Sequence, residues 1–64
     1  MTVNELIDKI ENHATICIYN SKGKRLLHFD VEEREYISEK VLNLKIKSIT
    51  ISTQMDMINL YTDA

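Results

Sequence analysis

The sequence predicts an α+β fold, formed by a single domain over residues 1–64 with the element order α-β-β-α-β-β. Near the N-terminus apolar residues recur with the period of a helix, and in four later segments they alternate with polar residues as in strands. A chain of 64 residues forms one domain, and a domain of this size buries roughly 60% of the surface that its unfolded chain exposes. We therefore expect a four-stranded, mainly antiparallel sheet with the helices on one face.

The first helix is predicted from a capping box. Thr2 stands three residues before Glu5, the spacing at which each side chain accepts a hydrogen bond from the other residue's backbone N–H. The apolar stripe of this helix consists of Val3, Leu6, Ile7 and Ile10. We expect Asn12 and His13 to end the helix, because asparagine tolerates the left-handed conformation of a helix end.

A β-hairpin is predicted next. Ile16 and Ile18 share one face of a first strand that begins near Ala14. Residues 20–23, Asn-Ser-Lys-Gly, suit a type I turn that glycine closes in the left-handed conformation. The second strand, Lys24 to Val31, is then expected to pair antiparallel with the first.

A second helix is predicted from Glu32 to Asn43. Asp30 and Glu33 have the spacing of a capping box, and the acidic residues that follow suit the positive end of a helix dipole. The buried edge of this helix is expected to be Ile37, Val41 and Leu44, which recur at helical spacing.

The chain is β-rich from Lys45 onwards. Ile49 and Ile51 alternate with polar residues, residues 54–56 suit a turn, and Met57 to Thr62 completes a second hairpin. Leu44 and Ile46 are out of phase with the later isoleucines, so we expect a bulge or a change of direction near Lys47.

One face of the predicted sheet has no helix to cover it. The residues expected there, some of which are apolar or aromatic, are Cys17, Tyr19, Leu26, His28, Met57 and Tyr61. Exposed apolar surface of this kind usually marks an interaction site.

The residue types that catalysis or metal binding would need are scarce. Cys17 lies among isoleucines, where a buried thiol is inert, and a lone histidine such as His28 or His13 binds no metal specifically. One cysteine excludes an intrachain disulfide. We therefore assign no catalytic, metal or cofactor residue and expect no enzymatic activity.

Charge is spread unevenly, although the net charge is only −2. Five acidic residues lie between Asp30 and Glu39, with Arg34 alone to oppose them. The favoured interpretation is a solvated helix face, and a mimic of a nucleic-acid backbone is the alternative. The basic residues Lys22, Lys24 and Arg25 are interpreted as surface charges that keep the protein soluble. We expect no direct binding of nucleic acid.

A cytoplasmic location is expected. The sequence starts without the basic residues and apolar run of a signal peptide. No apolar stretch approaches the roughly 20 residues that a membrane helix needs, so we expect no membrane association.

A resemblance to known proteins extends over nearly the whole chain and rests on four segments, TVNELIDKI, ICIYNSKGKRLLHFDV, VLNLKIKSITI and MINLYT. This pattern resembles a family of small proteins encoded by phages and prophages of Gram-positive bacteria. The resemblance implies a protein that acts in the bacterial host by binding a host protein, including components of defence systems.

The first functional hypothesis is a non-enzymatic interaction protein that binds or inhibits a host protein. We expect it to form a homodimer through the uncovered sheet face or an edge strand. The candidate interaction residues are Tyr19, Leu26, His28, Tyr61, Asp30, Glu32, Glu33 and Glu35. The alternative is a binder of a small ligand or nucleotide signal, with His28, Tyr19 and Arg25 around a pocket between two subunits.

Overall fold

The computed structural model describes residues 1–64 and contains four strands and three short helices. The helices are α1 (Val3–Ile7), a 3-10 helix (Val31–Tyr36) and α2 (Glu39–Leu42). The strands are β1 (Thr15–Tyr19), β2 (Arg25–Asp30), β3 (Ile46–Ser52) and β4 (Met57–Thr62). The element order is the predicted one when the 3-10 helix and α2 are counted together.

The sheet has the strand order β2-β1-β4-β3. Both hairpins are antiparallel as predicted, but the central strands β1 and β4 pair in parallel. The prediction of a mainly antiparallel sheet is therefore wrong, and the sheet is mixed. The reason is the connection over residues 31–45, which carries the chain from one edge of the sheet to the other. Strand β3 consequently runs in the direction of β2, and β4 returns alongside β1.

Helix α1 begins with the predicted capping box. The backbone N–H of Glu5 donates to Oγ1 of Thr2 at 3.2 Å, and that of Thr2 donates to Oε1 of Glu5 at 2.9 Å. The helix ends at Ile7, however, and does not continue to Asn12 and His13. The last turn tightens, because Lys9 N–H bonds to the carbonyl three residues back and Ile10 does the same.

The second predicted helix is divided in two. Ile37 has extended backbone angles (φ −93°, ψ 136°), which end the 3-10 helix. Ser38 then caps α2, and its Oγ accepts from the Val41 N–H at 3.4 Å. The prediction of a single helix from Glu32 to Asn43 is therefore wrong, because Ser38 can cap a new helix start at this point.

The core lies between the helices and one face of the sheet. Its buried cluster is Val3, Ile7, Ile16, Ile18, Phe29 and Leu60. Leu6, Ile10 and the predicted edge residues Ile37, Val41 and Leu44 pack against this cluster while partly buried. Only nine of the 64 residues are buried, so each core side chain carries a large share of the stability.

Local backbone features follow the sequence closely. Gly23 adopts φ +80° and its N–H donates to the Asn20 carbonyl at 3.0 Å, as expected for the first hairpin turn. The register between β3 and β4 shifts between Ile46 and Ser48, which confirms the bulge predicted near Lys47.

Candidate interaction surface

The face of the sheet opposite the core is formed by alternate residues of the strands, and we call it the open face. On the central strands the pairs Cys17–Asn59 and Tyr19–Tyr61 lie side by side. The core-facing residues Ile16 and Ile18 occupy the alternate positions, and the helices pack against those.

Two tyrosines form the centre of the open face. The rings of Tyr19 and Tyr61 stack with centroids 4.8 Å apart and an interplanar angle of 17°. The Tyr19 hydroxyl donates to Oδ1 of Asn59 at 3.4 Å. Both tyrosines are half-buried, so their rings are held in place and still offer surface to a partner.

Strand β2 borders this tyrosine pair. Arg25 is paired with Tyr19, and the register shift in this ladder leaves Leu26 as the extra residue of a bulge. Leu26 is 47% exposed. His28, paired with Cys17, is exposed as well. The structure therefore brings together the four interaction residues predicted on the strands, which are Tyr19, Leu26, His28 and Tyr61.

Cys17 lies beneath the open face. Its thiol is free and fully buried, in agreement with the reading of a structural cysteine among isoleucines. Cysteine has a small side chain and is among the residues most often buried.

The acidic candidates lie apart from the tyrosines, at the far end of β2 and in the 3-10 helix. Asp30 accepts from the Thr15 hydroxyl at 3.0 Å, and its N–H donates to Glu33 at 2.9 Å. Glu32 pairs with His13 at 2.9 Å, and Glu35 is exposed. Three of the four predicted acidic residues are therefore engaged in hydrogen bonds within the chain.

The pairing of His13 with Glu32 joins residues 19 positions apart, and no spacing pattern in the sequence indicates it. Ligand atoms of His13, Asp30 and Glu32 all lie within 4.8 Å of one another, a distance at which a divalent cation could be held. In the structure the Glu32 carboxylate pairs with His13, and Oδ1 of Asp30 accepts from the Thr15 hydroxyl.

Glu32 also raises the pKa of His13 above its usual value, first through the hydrogen bond and then through its charge. A raised pKa in the folded state means that this pair contributes stability below the usual histidine pKa. That contribution is lost as the pH rises through the raised value. We expect Glu32→Gln to lower the His13 pKa, measured by NMR titration of the imidazole.

The control for this titration is Glu35→Gln, which removes an exposed acidic residue of the same segment that does not pair with His13. It is expected to leave the His13 pKa close to that of the wild type. An unchanged His13 titration in Glu32→Gln would contradict the ion pair.

The surface of a single chain forms no pocket. None of the helices has the length and apolar character needed to cross a membrane. Comparisons with family models, with curated proteins and with solved structures found no match.

Proposed function

We propose that this chain is a non-enzymatic interaction module that binds a partner protein through the open face of its sheet. The observation that carries the proposal is the stacked pair of Tyr19 and Tyr61 beside the exposed Leu26. Tyrosine combines a large apolar ring with a polar hydroxyl and loses little conformational entropy on binding, and it is enriched where proteins meet.

The charges around the tyrosines define the chemistry of the partner. Arg25 is paired with Tyr19, and Lys24 precedes it in the chain. Both side chains are exposed. A protein segment that places an apolar side chain on the tyrosines and a carboxylate near Arg25 would satisfy this surface, because arginine binds carboxylates through two parallel hydrogen bonds.

The acidic segment is a weaker candidate for the contact surface. Asp30, Glu32 and Glu33 already take part in hydrogen bonds within the chain. A partner that used their carboxylates would have to replace these bonds. Because of the resemblance to phage-encoded proteins, we propose a bacterial host protein as the partner, with components of defence systems among the candidates.

The test is affinity capture of the tagged chain from bacterial lysates, read by mass spectrometry. Leu26→Glu and Arg25→Glu place a negative charge on the open face at positions that are exposed, so the fold should persist. We expect the partner bound by the wild type to be lost, by tenfold or more in recovered amount, in both variants.

Two control variants test whether loss of the partner is specific to changes on the open face. Lys9→Glu changes an exposed residue near the end of α1 by the same charge as Arg25→Glu and should retain the partner. Neutralising Asp30, Glu32, Glu33 and Glu35 to their amides should also retain it. Loss of the partner only in the neutralised variant would move the contact to the acidic segment and overturn the proposal.

A further inference from the structure

Strand β3 has a free edge. It pairs with β4 on one side only. The N-terminal residues cover just its beginning, where the Ile46 N–H donates to the Met1 carbonyl at 2.9 Å and Thr2 bridges Lys45. Beyond Lys47 the edge consists of Ser-Ile-Thr-Ile-Ser, without proline or charge. An exposed edge of this composition is a template for pairing with another strand.

The direction of the backbone groups on this edge follows from the neighbouring ladder. The Thr15 N–H donates to the Asp56 carbonyl at 2.9 Å, so in β4 the backbone groups of residues 58 and 60 also point towards β1. Those of residues 57, 59 and 61 then point towards β3. Their partners in β3 are residues 52, 50 and 48. Ile49 and Ile51 therefore offer their N–H and C=O groups to the free edge.

The side chains of the same two isoleucines are also uncovered. Ile49 is paired with Leu60 and Ile51 with Ile58, on the core side of the sheet. They nevertheless have 41% and 66% of their surface exposed. A strand added at this edge would gain backbone hydrogen bonds and cover apolar surface at once.

We propose that a second copy of this chain occupies the edge, with the two β3 strands antiparallel about a two-fold axis at Thr50. Such an axis places Ile49 of each copy opposite Ile51 of the other copy. The outward N–H groups of these two residues then donate to the outward C=O groups of the other copy. The four isoleucines then form one apolar cluster. The two four-stranded sheets become one sheet of eight strands.

Charge favours the antiparallel arrangement. Lys47 lies at the start of the edge, and Asp56 lies in the turn that follows its end. An antiparallel pair brings the Lys47 end of one copy to the Asp56 end of the other, whereas a parallel pair would bring like charges together. The contact is one strand wide, so the dimer is expected to be weak and dependent on concentration.

This inference concerns an edge that the open-face proposal does not use, and the two can fail separately. Sedimentation equilibrium from micromolar to millimolar concentration should show the mass rising from the 7.5 kDa of one chain towards twice that value. Ile51→Lys should weaken the association by about tenfold or more. Tyr36→Lys, which changes a residue that is 81% exposed on the 3-10 helix, should associate like the wild type, as should Leu26→Glu.

Cysteine cross-linking tests the register. The axis places Thr50 of the two copies opposite each other as a non-hydrogen-bonded pair, with Cα atoms about 4.5 Å apart, within the range of a disulfide. Mild oxidation by diamide, which takes up the two thiol hydrogens, should cross-link Thr50→Cys efficiently. Ser48→Cys, which would face Ser52 of the second copy, should not cross-link.

The buried Cys17 should stay reduced in both variants while the chain is folded. The proposal is overturned if the wild type stays monomeric throughout, or if Ile51→Lys associates as strongly as the wild type. It is also overturned if Ser48→Cys cross-links as readily as Thr50→Cys.

Discussion

Replacing Leu60 by alanine is expected to remove about 2–5 kcal/mol from the free energy of unfolding. Leu60 is fully buried on the central strand β4, between Ile18 of β1 and Ile49 of β3. Single domains are stable by only about 5–15 kcal/mol, and a thin core places this chain near the lower end. Urea denaturation should therefore show a much lower midpoint, or a variant that is largely unfolded at 37 °C.

Leu26→Ala is the matched control, because it makes the same chemical change at a residue that is 47% exposed. Its loss of stability should stay below about 1 kcal/mol, since less apolar surface is returned to water. Equal losses in the two variants would contradict the assignment of the core to the helix side of the sheet.

Replacing Thr62 by valine is expected to cost about 1–3 kcal/mol, although the two side chains have nearly the same shape. Thr62 is the one buried polar side chain of the chain. Its hydroxyl donates to the Tyr19 carbonyl at 2.9 Å and accepts from the Ala64 N–H at 3.3 Å. Valine would leave both backbone groups without these partners at the end of the parallel β1–β4 pair.

The control is Thr53→Val, the same substitution in the exposed turn between β3 and β4. A change within about 0.5 kcal/mol is expected there. Thermal unfolding followed by circular dichroism compares the two variants. A Thr62→Val chain as stable as the wild type would contradict the hydrogen bond between β4 and β1.

Features that depend on a few neighbouring residues could be predicted from the sequence. The capping box of Thr2 and Glu5, the glycine turn at Gly23 and the bulge at Lys47 are all decided by local chemistry. The last strand, Met57–Thr62, begins and ends where its alternation and flanking turn predicted.

The parallel pairing of β1 and β4 could not be predicted in the same way. Alternation identifies a strand and its buried face, but it holds no information about which distant strand lies beside it or in which direction. That choice depends on where residues 31–45 carry the chain across the sheet. The second helix is divided because both Asp30 and Ser38 can start a helix. The helical spacing of Ile37 and Val41 spans this division, so the apolar pattern alone predicts one continuous helix.

The candidate surface was likewise predictable from the sequence only in part. Alternation predicted Tyr19 and Tyr61 on one uncovered face, and both lie there. Their stacking at 4.8 Å requires β1 and β4 to be neighbours in register, which the sequence does not specify. The contact of His13 with Glu32 likewise requires the fold to bring together two residues that are 19 positions apart in the sequence.

The most direct test of the central claim, that the open face binds a protein, is photo-cross-linking. A benzophenone amino acid at position 26, on the open face, is compared in bacterial cells with the same residue at position 9, near the end of α1. We predict a discrete cross-linked protein from position 26 and none from position 9. The same cross-linked protein from position 9, or cross-links at position 26 no different from background, would contradict the account.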